Sequence, residues 1–274
     1  MTKIKGIKNE IFAVIVVLLL NCFSCGGGEE GEGTLSVEIW GEEYIEKGIP
    51  AEVFSDRWSI TFDKFLIVVG EIKSARGENA PDMVADKFKV YDLTKQGPTE
   101  IAIATVPAGA YDNTSYRISP ADNSTEIGNA SLDDLNLMKS NGFSVYIEGR
   151  AEKTGEQTKN FKWGFNTNTH YYKCQSTARI SKGSAGVIQI TIHGDHLFFD
   201  DLFSSEPNVT FDVIAGADSN GDNEITKEEL KSFNIESLPN YQVGSTGIDN
   251  LWDFISYLTK TLGHIDGEGH CHSE

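Results

Sequence analysis

The sequence predicts a mainly β protein: an antiparallel β-sandwich body followed by a helical C-terminal segment. Three observations point there. Apolar residues recur with period two through residues 34–202. Gly, Pro, Asn and Asp cluster between these short runs, which is the punctuation of antiparallel strands. After Pro207 the apolar spacing changes to the three-and-four pattern of helices.

Leu35, Val37 and Ile39 alternate with polar residues, and Trp40 follows. Ile60, Phe62 and the run from Phe65 to Val69 form a second segment. Phe88, Val90 and Tyr91 open a third. Ile101, Ile103 and Val106 make a fourth, closed by the turn signal Pro107-Ala108-Gly109, and Tyr116 and Ile118 come next. Ser131 to Lys139 reads as a short helix. Ser131 and Asp134 approximate a capping box, Leu132, Leu135 and Met138 share a face, and Asn141-Gly142 ends it. Phe143 to Ile147, Phe161 to Phe165 running on toward Cys174, and Val187 to Ile192 read as strands. Trp163, Tyr171 and Tyr172 are expected in the core. In the helical part, Pro207 suits a first helical position, and Phe211, Ile214 and Ala215 share a face. Lys227 to Phe233 is a second helix. Thr246 and Asp249 cap a third, with Ile248, Leu251, Trp252, Ile255, Leu258 and Leu262 on one side and Gly263 as its stop.

The N-terminus reads as an export signal. Lys3, Lys5 and Lys8 precede the unbroken apolar run Ile11 to Leu20. That run falls short of the roughly 20 residues a spanning helix needs and suits a secretory signal. Asn21-Cys22-Phe23-Ser24-Cys25 and a Gly/Glu tether follow. This resembles a bacterial lipoprotein signal, with Cys25 as the lipidated residue and Cys22 as the alternative. The resemblance implies a cell-envelope protein whose partner is a membrane, reached through the lipid. The chain divides into a signal (1–24), lipidated Cys and tether (25–33), β-sandwich-like body (34–202), a helix–loop–helix (203–236), and a C-terminal helix with a His-rich tail packed on the body (237–274).

Formal charge is −18, and the signal is its most basic part. Nucleic acid is excluded as a partner, because such binding rests on Lys and Arg neutralising phosphates. The same charge argues against electrostatic docking on anionic lipid and suits cation binding. Of the four Cys, two fall in the signal region. Cys174 and Cys271 remain, and in an oxidising compartment they are expected to pair. The competing reading makes Cys271 a metal-binding thiolate.

Two stretches carry metal chemistry. Residues 218–229 read DSNGDNEITKEE. This resembles the EF-hand loop, whose calcium ligands sit at positions 1, 3, 5, 7, 9 and 12. The resemblance implies Asp218, Asn220, Asp222, the Glu224 carbonyl, Thr226 through water, and Glu229 as bidentate ligand. Position six, normally Gly, is Asn223, the non-Gly residue that best tolerates positive φ, so binding is expected to be weak and structural. No sister loop is found. The second stretch is histidine-rich. His193 and His196 lie in HGDH, and His264, His270 and His272 in GHIDGEGHCH, beside Asp195, Asp200, Asp266, Glu268 and Cys271. Imidazoles suit zinc or copper, and His193, His196, His264 and His270 are the candidate composite site.

Catalytic motifs are absent in intact form. The run from Thr191 to His196 looks like the H-x-H-x-D-H motif of metallo-β-lactamase-type hydrolases, but Thr191 replaces the first His and the alternating βα pattern is missing. No G-x-S-x-G, H-E-x-x-H or phosphate loop appears, so the chain reads as a non-enzyme. The order of export signal, sandwich-like strands, the turn Val106 to Tyr111 and late histidines is similar to uncharacterised bacterial β-sandwich lipoproteins. Proteins of that general kind include methanobactin-associated periplasmic copper proteins, which bind copper through His and a modified Trp. The likeness is one of outline and transfers no residues. The expected function is calcium binding in a lipid-anchored envelope protein with a binding or structural role, and the alternative is transition-metal binding by the histidines.

Overall fold

A computed structural model describes residues 31–274. The expected signal, Cys22 and Cys25 lie outside the described residues.

Strand β1 (Glu32–Trp40) leads into a short helix, α1 (Glu42–Glu46). The long β2 (Ser59–Ala75) is followed by β3 (Met83–Ala85), β4 (Lys89–Asp92), β5 (Thr99–Pro107), β6 (Gly109–Ala110), β7 (Asn113–Ile118) and β8 (Glu126–Ile127). Helix α2 (Leu132–Asn141) precedes β9 (Val145–Glu152), β10 (Lys159–Phe165), β11 (Thr169–Cys174), β12 (Arg179–Ile180) and β13 (Ala185–Ile192). A 3-10 turn at Gly194–Phe198 then leads to α3 (Asp212–Ala215), β14 (Glu224–Ile225), α4 (Lys227–Ser232) and α5 (Leu251–Leu258). A second 3-10 turn at Thr259–Thr261, β15 (Gly263–Ile265) and β16 (His272–Ser273) complete the chain.

Most of the strands form two packed sheets, while β6 and β12 pair with each other as a separate two-stranded sheet. The smaller of the packed pair has the order β15-β13-β1-β5, and the larger runs β14-β10-β9-β2-β7-β11-β16. Inward residues of β1 (Leu35, Val37, Ile39) and β13 (Ile188, Ile190, Ile192) share one core with Phe65, Ile67, Phe161, Trp163 and Tyr171 of the larger sheet. The run Phe65 to Val69 is apolar throughout because β2 is covered on both faces. Phe65, Ile67 and Val69 enter the main core, while Leu66 and Val68 pack with Leu135 and Met138 beneath α2.

Most pairings are antiparallel, as period-two segments with short turns dictate. The β1–β13 pair is parallel, from Thr34↔Ala185 to Trp40↔Thr191. Sequence periodicity is blind to this, because side chains alternate identically in either direction.

Helix α2 carries the expected cap. Ser131 accepts from the Asp134 N–H, Asp134 reciprocates, and Gly142 closes the helix at φ 63°. Three details of the helical part differ from expectation. Pro207 is not helical. Helix α3 starts at Asp212, where Asp56 Oδ2 accepts from the N–H groups of Phe211 (2.6 Å) and Asp212 (2.7 Å). Helix α5 is capped by Asn250, which accepts from the Asp253 N–H at 3.0 Å, instead of by Thr246. Gly263 opens strand β15, and its lack of a side chain serves packing. A Cβ there would sit 2.4 Å from Tyr116 Oη and 2.8 Å from the Tyr171 ring.

The helical segment is not a separate body. Phe211, Ile214, Ile225, Leu230, Phe254 and Leu258 belong to the main core, Trp252 stacks on Phe165 at 4.9 Å, and Trp163 Nε1 donates to the Ile225 carbonyl at 2.8 Å. Among the described residues, no helix is long and apolar enough to cross a membrane.

The α2 cap gives a pH-dependent test. Burial pushes the Asp134 carboxyl up, but the Lys64 ammonium and the Ser131 hydroxyl and N–H outweigh it and hold the group below its ordinary value. A depressed carboxylate pKa stabilises the fold above the unfolded value, and the gain is lost as pH falls through the folded value. Asp134→Asn therefore lowers stability by about 1 kcal/mol near neutral pH, a modest loss because water screens the partly exposed Lys64. The deficit closes below about pH 4. Urea midpoints for both proteins at the two pH values measure it.

Candidate metal centre

Strand β13 ends in buried Thr191 and Ile192 and delivers His193 to the start of the Gly194–Phe198 turn. That turn brings Asp195 and His196 round beside it. Strand β15 pairs with β13 in the register Thr191↔His264, and the His193 N–H donates to the Leu262 carbonyl at 2.9 Å. Two segments some seventy residues apart are thereby held side by side. Ring centroids lie 4.5 Å apart for His193 and His264, 5.0 Å for His193 and His196, and 5.2 Å for His196 and His264.

Carboxylates complete two sets. One ligand atom from each of His193, Asp195 and His196 lies within 4.8 Å of the others, and the same holds for His193, His264 and Glu268. Glu268 sits in the turn after β15. Asp266 anchors that turn, accepting from the N–H groups of Gln189 (3.0 Å) and Thr177 (3.1 Å). The turn also presents the Gly267 carbonyl, which accepts from Thr191 Oγ1 at 2.7 Å.

The hydrogen bonds leave nitrogens available. His196 Nδ1 lies 2.7 Å from the Thr261 carbonyl, so Nδ1–H donates and Nε2 keeps its lone pair. His193 has an acceptor beyond each ring nitrogen: the Gly267 carbonyl 3.4 Å from Nε2 and Glu42 Oε2 3.6 Å from Nδ1. His264 Nδ1 and Asp195 Oδ1 are buried with no hydrogen-bond partner. An unsatisfied buried polar atom costs about 1–3 kcal/mol; the two atoms belong to different three-residue groups, and a metal ion held by either group would relieve that group's member.

The electrostatics agree. Burial, reinforced by the neighbouring His193, pushes His196 down to about 4, and His264 likewise. Both rings therefore stay neutral and metal-ready at ordinary pH. Burial pushes the Asp195 carboxyl up, against the pull of His193, and raises Glu42 in the same way. These groups open on one cavity of about 710 Å³.

No family model, curated relative or solved structure matches the chain.

Of the four histidines expected at a composite site, His193, His196 and His264 converge. His270 reaches the same cavity but belongs to neither three-residue group. Asp195 and Glu268 join them, as their sequence neighbourhood hinted. Glu42 carried no sequence signal at all. It arrives because α1 packs on the Gly194–Phe198 turn, where a Cβ on Gly194 would meet Ile45 at 2.8 Å. Cys271 is bonded to Cys174 and so is not a thiolate ligand.

The loop Asp218 to Glu229 has features of its EF-hand resemblance. Asn223 adopts φ 67°. Asp218 accepts from the N–H groups of Gly221 (2.8 Å) and Asn223 (3.0 Å). Ile225 is buried, and β14 pairs with β10. Thr226 and Glu229 form a capping box, and Glu229 also accepts from the Ser219 N–H at 3.1 Å. A cation already faces the loop: Lys159 Nζ lies 2.6 Å from Asp218 Oδ2 and 3.0 Å from Asn223 Oδ1. That ammonium holds the Asp218 carboxyl below its ordinary value. The main-chain hydrogen bonds to Thr226 do the same for Glu229, against some burial.

The disulfide ties the tail to the body across a separation of 97 residues, and β16 adds to β11 beside it. Replacing Cys174 and Cys271 together by Ser lowers stability by about 2–4 kcal/mol, read as a shift in the urea midpoint.

Proposed function

We propose that this protein binds a transition-metal ion, zinc or copper, through His193 together with either Asp195 and His196 or His264 and Glu268. The observation that carries the reading is the pair of buried, partnerless atoms, His264 Nδ1 and Asp195 Oδ1, among three converging imidazoles. Neutral imidazole with carboxylate suits zinc and copper better than calcium, which takes an all-oxygen shell. The apolar run before Cys25, the Cys174–Cys271 bond and the acidic charge support an exported, lipid-anchored protein of the cell envelope. Its role is then binding rather than catalysis.

Residues 26–274, dialysed against equal zinc, copper and calcium and assayed by elemental analysis, retain about one zinc or copper per chain on this reading. His193→Ala, which removes the residue common to both groups, weakens binding by more than about 100-fold, beyond what outer-shell changes produce. Failure to retain zinc or copper, or equal retention by this variant, sinks the reading.

Calcium at Asp218, Asn220, Asp222, Glu224, Thr226 and Glu229 is a second reading, supported by the left-handed Asn223 backbone and the Asp218 hydrogen bonds. It requires calcium to displace the Lys159 ammonium. Lys159→Ala then raises calcium affinity about tenfold, the worth of one charge-assisted bond, and Glu229→Ala abolishes it. Calorimetric titration distinguishes the two, and unchanged or weaker calcium binding in Lys159→Ala ends this reading.

A further inference from the structure

The cavity over the histidines is far larger than an ion requires. A metal ion and a few waters occupy roughly 30 Å³ per water, whereas this space is about 710 Å³. That is the size of a small-molecule site, which spans roughly 300–1,000 Å³. Its walls away from the metal are partly apolar, with Tyr44, Phe199, Leu202 and Leu258 contributing. Its polar lining has one sign. Glu42, Asp195, Asp201 and Glu268 all face it, and no Lys or Arg lines it.

Glu42 stands apart from the metal groups. It supplies no atom to either three-residue set, yet its carboxylate reaches within 3.6 Å of His193. It does so from a backbone at φ 54°, a region that is unfavourable for a residue with a Cβ and that recurs at ligand sites.

We infer that the metal centre is a receptor for a small nitrogenous ligand, neutral or cationic, whose donor nitrogen takes an open position on the metal while Glu42 meets its positive end. This rests on the transition-metal reading above. A donor nitrogen completes a tetrahedral shell of which either three-residue group, two imidazoles and a carboxylate, supplies only three positions. The apolar wall covers the ligand's carbon skeleton. The four carboxylates outweigh the two charges of a divalent ion, and that excess of negative charge selects against phosphates and carboxylic acids.

Three probes built on one ring separate charge from shape: histamine, 4-methylimidazole and imidazole-4-acetate. Each is titrated into the Co(II)-loaded protein of residues 26–274, with the visible cobalt bands as readout and elemental analysis confirming that cobalt stays bound. Histamine and 4-methylimidazole shift the bands, and histamine binds about tenfold tighter at low salt, the worth of one charge-assisted contact. Imidazole-4-acetate binds weakest. In Glu42→Gln the histamine-to-methylimidazole ratio falls toward one. The ligand reading is overturned if cobalt binds but none of the probes shifts its bands, if the anion binds as tightly as the cation, or if Glu42→Gln keeps the full ratio. Cobalt failing to bind overturns the metal centre and the ligand reading together.

Discussion

The pairing of β13 with β15 is a short piece of sheet, three residues from Ile190↔Ile265 to Ile192↔Gly263, yet it fixes the site. It sets His264 opposite Thr191 and beside His193. It also stops the chain after α5 in one place, because the His193 N–H and the Leu262 carbonyl bond across the gap. The pairing can form only where Gly263 lets the backbone approach Tyr116 and Tyr171, whose rings stack at 4.8 Å. Tyr171 Oη accepts from the Gly263 N–H and donates to the Lys260 carbonyl. A buried aromatic pair in the larger sheet thus positions the strand that carries His264 in the smaller one.

The C-terminal tail acts as a strap across both sheets. Strand β15 adds to one and β16 to the other, and the disulfide holds β16 in place. The turn between them supplies Glu268 and the Gly267 carbonyl. Ordering a polar, glycine-rich segment is entropically unfavourable, and here sheet hydrogen bonds, the Asp266 anchor and a covalent bond oppose that loss. The turn is thereby tied to both sheets beside the histidines.

The helix–loop–helix is integrated by similar means. The aliphatic side chain at the eighth loop position, Ile225, enters the main core, and its strand lies on β10 of the body. The loop lies on the edge of the larger sheet, and Trp163 bonds the Ile225 carbonyl directly. Asp56 and Asp212 extend the connection: one caps α3, and the other accepts from Trp58 Nε1 at 2.7 Å. Loop and body therefore share one packing arrangement.

Local signals were legible where neighbours in sequence are neighbours in space. The alternation in β1, the Ser131–Asp134 capping box, the left-handed Asn223 and the apolar face of α5 follow from side-chain period and backbone sterics. The Asp56 cap of α3, the Asn250 cap of α5 and the packing role of Gly263 were misread or missed, because each is set by what lies beside it once the chain has folded. The histidines divide along the same line. Composition and spacing identified HGDH and the tail as metal-type chemistry, since residue type alone fixes what an imidazole can ligate. Which of them meet was a matter of register and topology. His193, His196 and His264 converge because β15 pairs with β13, His270 lines the cavity without joining either three-residue group, and Glu42 enters from a helix whose sequence gives no hint of it. Side-chain chemistry is a property of single residues, whereas a site is a set of distances, and long-range strand pairing is what closes them.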